Sequence, residues 1–268
     1  MSVFQSLLLG LVQGITEFLP VSSSGHLVVF RDVLGIDGIP LFYDVLLHIA
    51  TLIVVCFVFR RRIWELIRAL YRAASKRVPF GEEEAHRDHM RTAGMIVIAT
   101  VFTGAVGLSV SRFLPAMPVT GVYALFLVTS AILIIGRIFQ RPTGSISLSP
   151  VRSAVLGISQ GLGTLPGISR SGITISTALV SGADRQRAGE ISFLISIPAI
   201  VGALLLELAA AETITAAVSA EALAAGFLAA LVSGFAALKL LLYLIRGGKL
   251  YLFCFYLIPL GLWGLLVR

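Results

Sequence analysis

Apolar stretches of about twenty residues recur along the whole chain, and they constrain its fold more than any other feature. A helix of about 20 residues crosses the hydrocarbon core of a bilayer. Six stretches reach that length: 40–59, 92–110, 119–139, 191–210, 222–245 and 250–267. A transmembrane β-barrel would alternate apolar and polar residues with a period of two, and these runs do not. With 57% of its 268 residues hydrophobic and 13% charged, the chain also lacks the polar surface that a soluble domain needs. The expected fold class is an all-α polytopic membrane protein.

Two further apolar regions, 3–34 and 151–181, do not read as simple spans. Pro20 and the Ser22–Ser23–Ser24–Gly25 run interrupt the first, leaving a piece too short to cross. LPGISRSG (165–172) interrupts the second in the same way. Irregular backbone at membrane depth is tolerated only where protein or water surrounds it, so both regions are expected to be re-entrant helical hairpins.

The basic residues test this layout. Nine Arg and Lys crowd 60–91, read as a loop on the cytoplasmic side. Chain crossing then puts the basic residues of 137–152, 182–190 and 246–249 on that side, and only Arg31, Arg112 and Arg268 opposite. The layout follows the positive-inside rule with the N-terminus outside. The net charge of +7 is thereby a membrane-surface feature and carries no nucleic-acid reading. Glu82, Glu83 and Glu84 read as a solvated face with no role.

Residues 7–25 align without a gap on residues 154–172 at a constant offset of 147, with Gln13/Gln160, Gly14/Gly161, Ser22/Ser169, Ser24/Ser171 and Gly25/Gly172 among the identities. Each copy is followed by three spans. The 268 residues therefore read as one integral-membrane domain built of two inverted repeats, 1–139 and 151–268, whose broken hairpins meet near the midplane.

That meeting defines the candidate site. Gln13 and Glu17 share a helix face that has to avoid lipid. Ser22, Ser23 and Ser24 open a short helix, 23–34, whose N-terminus suits an anion. Gly25 permits close backbone approach, and His26 can carry a proton near neutral pH. Ser169, Ser171 and Gly172 repeat the pattern around Arg170, whose guanidinium grips phosphate oxygens in pairs. A carboxylate, hydroxyls, an imidazole and an arginine at two helix N-termini point to phosphate monoester or diphosphate chemistry. Blander readings stand beside this one. A lone membrane serine more often bridges helices, Glu17 has a structural use as partner of Arg170, and Asp44, His48 and Glu190 read as supporting residues.

QGITEFLPVSSSGH (13–26) resembles the first signature of the undecaprenyl-diphosphate phosphatase family, also called bacitracin-resistance proteins; LPGISRSG (165–172) resembles its second, and GEISFLISIP (189–198) a third stretch. The resemblance covers the chain. It implies a membrane phosphatase that hydrolyses undecaprenyl diphosphate to the monophosphate and recycles the lipid carrier of cell-wall synthesis. Its fold would hold six transmembrane helices and two re-entrant hairpins, in the plasma membrane, with the site facing the periplasm. By the same resemblance Glu17, Ser23, His26 and Arg170 would be catalytic, and Ser22, Ser24, Gly25, Ser169, Ser171 and Gly172 would bind the diphosphate. Ser23 and His26 both stay open as nucleophile. The resemblance also implies a divalent cation, Mg²⁺ or Ca²⁺, at Glu17 and position 13, where Gln13 replaces the usual Glu. Expected partners are the polyprenyl diphosphate and membrane lipids, with a homodimer left open. The alternative function is a lipid-phosphate transporter or flippase that does not hydrolyse.

Overall fold

The computed structural model describes residues 1–35, 41–75, 78, 81–113, 117–141, 149–210 and 218–267. Among the described residues there is no strand. The helices are α1 (Val3–Phe18), α2 (Ser23–Leu34), α3 (Leu41–Val58), α4 (Arg60–Ala74), α5 (Glu83–Phe113), α6 (Val119–Ile138), α7 (Pro150–Leu162), α8 (Arg170–Val180), α9 (Arg185–Ala210), α10 (Ala220–Arg246) and α11 (Cys254–Val267), the last preceded by a 3₁₀ turn at Leu250–Phe253. Five of them, α5, α6, α9, α10 and the unit Leu250–Val267, are long and apolar enough to cross a membrane. The apolar helix α3 forms a sixth candidate together with α4, from which it is bent by 76°. The chain is an all-α, multi-pass membrane protein, and each of the six expected spans falls on a helix.

The stretch 60–91 departs from expectation. It is not a plain loop: α4 occupies its first half, and α5 begins at Glu83, well before the apolar run. The arginines hide the helical period, because Ile63, Trp64, Ile67, Leu70 and Tyr71 recur at three and four residues but never as a continuous apolar run. The glutamates have a local use after all. Glu83 and Glu84 sit in the first turn of α5, where carboxylates complement the helix dipole, and Glu82 pairs with Arg72.

The broken segments pack as hairpins, α1 on α2 and α7 on α8. α1 stops because Leu19, forced out of helical geometry by Pro20, is extended at φ −60°, ψ 145°. The chain then turns through Ser22, held at φ 72°, the one non-glycine with positive φ among the described residues. In the second break the positive φ falls instead on Gly167, at 101°, which a glycine adopts without strain.

Each hairpin lies along a long helix from the far part of the chain. In α1, Ser6 bonds to the Ala222 carbonyl, a Cβ on Gly10 would meet the Gly226 backbone, and one on Gly14 would meet the Ala230 carbonyl, so α1 and α10 run parallel in fixed register. In α7, Gly157 faces Ala99 of α5 and Gly161 faces Thr103. Small residues spaced by four let the backbones touch, the usual basis of tight helix pairs in lipid. The base of α1 lies beside the start of α10. The end of α8 shares a cleft with Ile245 and Leu250, at the other end of α10. The two hairpins thus enter from opposite ends of the bundle.

Candidate active site

The two turns meet. The Gly167 N–H donates to Ser22 Oγ (2.9 Å), and the Gly167 carbonyl accepts from Thr129 Oγ1 (2.7 Å), about halfway along α6. A Cβ on Gly25 would lie 2.8 Å from Gly167 N, and one on Gly172 would lie 3.2 Å from the Pro20 side chain. These glycines are therefore occupied with letting one hairpin tip touch the other. Ser22 and Ser169, repeat mates, are both N-caps. Ser22 Oγ accepts the Gly25 N–H (3.3 Å) and Ser169 Oγ accepts the Gly172 N–H (3.0 Å). The caps satisfy the Gly25 and Gly172 N–H groups, and the earlier N–H groups of α2 and α8 have no partner within their own helices, as at any helix start.

Glu17, at the end of α1, is the hub. Its side chain is 4% exposed and forms an ion pair through Oε1 with Arg170 at the start of α8. Its Oε2 accepts from Ser23 Oγ at 2.5 Å and from Gln13 Nε2 at 3.0 Å. His48 of α3 presents Nε2 at 3.9 Å from the same oxygen, while its Nδ1 faces the Asp44 carbonyl at 2.9 Å. A carbonyl only accepts, so the Nδ1 contact is a hydrogen bond when Nδ1 carries a proton. A narrow cleft opens beside the pair, with Glu17, Arg170, Ser171, Thr51, Ser192 and Ser196 among its lining residues. The structure thus joins Gln13, Glu17, Ser23 and Arg170 directly. Ser171 stands at the cleft, its hydroxyl 3.2 Å from that of Ser169, and the Ser24 hydroxyl lies 3.5 Å from Ser22 Oγ.

His26 is placed differently. It is buried, packed between the rings of Phe126 (4.9 Å) and Tyr256 (5.6 Å), and both ring nitrogens are engaged: Nδ1 with the Ser22 carbonyl and Nε2 with the Tyr256 hydroxyl, each at 2.8 Å. With the proton on Nδ1, Nε2 accepts from the tyrosine. Tyr256→Phe strands that nitrogen. It is expected to cost about 1 kcal/mol of stability and to leave turnover within about threefold of wild type, as suits a tyrosine that only orients a ring. A thermal melt and a rate on the same preparation check both, and a loss of about a hundredfold or more in turnover would put the tyrosine in the reaction itself.

Sequence reasoning missed several neighbours. Thr51, Ser192 and Ser196 reach the cleft from α3 and α9. Ser192 and Ser196 are four apart on one helix face, and Thr51 is three residues from His48, spacings that share a face. Tyr256 and Thr129 carried no local signal, since single polar residues in apolar runs are common.

The oxygen donors allow for a hard cation. Gln13 is fully buried, and its Oε1 has no hydrogen-bond partner among the described residues, one helical turn from the Glu17 carboxylate. Amide and carboxylate oxygens suit Mg²⁺ or Ca²⁺. No group of three or more His, Cys, Asp and Glu side chains converges among the described residues. A cation here would therefore complete its shell with water or phosphate oxygens, as Mg²⁺ commonly does. The repeat mate Gln160 has the same orphaned Oε1, with Nε2 bonded to Thr103 and to the Ile195 carbonyl. Position 164, the mate of Glu17, is a threonine, so a carboxylate beside the amide distinguishes the first hairpin.

Comparison with known proteins gives a consistent picture. The family model described as bacitracin resistance protein BacA matches residues 6–263. A curated undecaprenyl-diphosphatase of Treponema denticola is 41% identical, covering 98% of this chain and 96% of its own length. Those of Carboxydothermus hydrogenoformans (37%; 97% and 95%) and Desulfosudis oleivorans (39%; 98% and 98%) are similar over equal spans.

Proposed function

The chain belongs to the bacitracin resistance protein BacA family, and from that premise we propose that it hydrolyses undecaprenyl diphosphate to undecaprenyl phosphate and inorganic phosphate. The observation that carries this reading is the Ser23–Glu17–Arg170 contact: a hydroxyl donating to a carboxylate whose other oxygen holds an arginine. That is a nucleophile, its base and an anion clamp in one cluster.

In this mechanism the lipid diphosphate enters from the bilayer, and Arg170 turns from Glu17 to the terminal phosphate. The start of α8, and of α2, adds N–H donors. Ser23 Oγ attacks the terminal phosphorus and its proton passes to Glu17 Oε2. The bond from phosphorus to the bridging oxygen breaks, and the lipid monophosphate leaves. Glu17 passes that proton to the departing lipid monophosphate and is a carboxylate again. It then takes a proton from water, whose oxygen attacks the Ser23 phosphoester; the phosphorus–Oγ bond breaks, inorganic phosphate leaves, and Glu17 returns the proton to Ser23 Oγ. Stabilising charge on the transferring group carries most of the rate in such chemistry. His26 has both nitrogens engaged, which favours Ser23 as nucleophile. A carrier that moved the lipid intact would need Arg170 but not a hydroxyl bonded to a carboxylate.

Mg²⁺ or Ca²⁺, held by Glu17 and Gln13 Oε1, would supply further positive charge at the phosphates. The repeat boundaries at 1–139 and 151–268 belong to this reading, supported by the exchange of partners between hairpins and long helices. So does a plasma-membrane location with the basic side in the cytoplasm and the site facing outward, supported by the distribution of Arg and Lys.

Phosphate release from undecaprenyl diphosphate by the detergent-purified protein, with EDTA and with added Mg²⁺ or Ca²⁺, tests the proposal. Metal-stimulated release is the expected result, and no release from folded protein would overturn it. Gln13→Glu gives the cation a second carboxylate. It is expected to tighten Ca²⁺ binding about tenfold in a calorimetric titration, and unchanged binding would remove position 13 from the metal.

A further inference from the structure

α4 takes no part in the site, yet its three faces are sharply divided. It leaves α3 at 76° directly after the apolar run ends, so it runs across the bundle. One face is docked. Leu66 and Ala69 are buried, α4 packs on α5, and Arg62 pairs with Glu65, with Asp88 of α5 and with Glu190 at the start of α9. A second face carries Trp64, Ile67, Leu70 and Tyr71, at helical spacing; Trp64 is 63% exposed and Tyr71 73%. The third face carries Arg61, Arg68 and Arg72. Arg72 pairs with Glu82, whereas among the described residues neither Arg61 nor Arg68 has a carboxylate partner.

We propose that α4 lies in the plane of the membrane interface and binds anionic phospholipid: the Trp64–Tyr71 face enters the acyl boundary, and Arg61 and Arg68 take headgroup phosphates. In a chain that already spans the bilayer, a helix turned across the bundle just after a span ends lies at the level of the headgroups. Tryptophan and tyrosine favour that level, with apolar rings and polar tips. Arginine pairs with phosphate oxygens and its charge tolerates the boundary. An in-plane amphipathic helix has this division of faces. The charge excludes the other natural occupant, since pairing the face with a second copy would bring two arginine-rich edges together. The ionic knot at Arg62 joins this lipid-reading helix to α5 and α9.

The chain has two tryptophans, Trp64 and Trp263, so full-length Trp263→Phe protein reports on α4 alone. It is placed in nanodiscs of phosphatidylcholine and phosphatidylglycerol in which one lipid or the other carries bromine. We expect lipid brominated near the headgroup to quench Trp64 more than lipid brominated at the chain end. Brominated phosphatidylglycerol should quench more than brominated phosphatidylcholine at equal mole fraction. Each arginine is worth about fivefold in preference for an anionic surface, so Arg61→Gln with Arg68→Gln should abolish the difference. Equal quenching by the two lipids in unsubstituted α4 overturns the anionic selectivity. Quenching by aqueous iodide with none by bromolipid places the face in water, and shielding from both places it against a second copy. Either result overturns the proposal. If Trp263→Phe does not fold, the difference between wild type and Trp64→Phe gives the same reading.

Discussion

Arg170→Ala is expected to lower kcat/KM for undecaprenyl diphosphate by about a thousandfold or more, the scale on which a single donor to a developing oxyanion acts. The loss has two sources that must be separated. Arg170 holds the phosphate in the proposed mechanism, and at rest it neutralises a Glu17 side chain that is 4% exposed. Removing one partner of a buried pair strands the other charge and costs about 3–5 kcal/mol, so Arg170→Ala is also expected to melt earlier. Adding Glu17→Gln removes the stranded charge. The double variant should recover most of the melting temperature and none of the turnover. Arg170→Lys keeps a charge but loses the two-pronged grip, and an intermediate rate is expected. Phosphate release and thermal melting on wild type, Arg170→Ala, Glu17→Gln and the double variant form one cycle. Wild-type turnover in folded Arg170→Ala would end the assignment of Arg170 and the mechanism built on it.

The hairpins were legible because their signals are local. Pro20 sets the geometry of Leu19, Ser22 and Ser169 are good caps, and the expected helix 23–34 is α2 residue for residue. The meeting of the hairpins was legible because one motif occurs twice, at offset 147. Gln13, Glu17, Ser23 and Arg170 followed from that meeting and are in contact. What was not legible depends on long-range partners. The engagement of His26 by Tyr256, 230 residues away, and the approach of His48 to Glu17 leave no mark in either segment. Hydropathy also misjudged 60–91, because it averages over faces. α4 is rich in arginine yet carries a face of tryptophan, tyrosine and aliphatic residues, and only its period, never its mean, could show that.

The glycines that seat the hairpins provide the other large effect. A Cβ on Gly10 would lie 2.2 Å from the Gly226 carbonyl oxygen and 2.9 Å from its Cα. Both obstacles are backbone, so no rotamer relieves them and α1 has to move away from α10. Gly10→Ala is expected to cost about 3 kcal/mol, the upper end of ordinary overpacking, and Gly10→Leu should prevent recovery of folded protein. Gly157→Ala should behave alike, since its Cβ would lie 2.3 Å from the Ala99 carbonyl oxygen. Gly94, Gly104 and Gly202 are the controls: they too lie in helices, and a Cβ there meets nothing within 4 Å. Alanine at these three is expected to leave the melting temperature unchanged or slightly raised, because it only narrows the unfolded chain. The site should register the difference. Glu17 stands two turns beyond Gly10 on the same helix, and a displacement of about 1 Å at reacting groups can cost a hundredfold in rate. Gly10→Ala protein that still folds should therefore lose activity well beyond its loss of stability. If it melts and turns over like Gly104→Ala, the close parallel register of α1 on α10 is wrong, and with it the placement of Glu17.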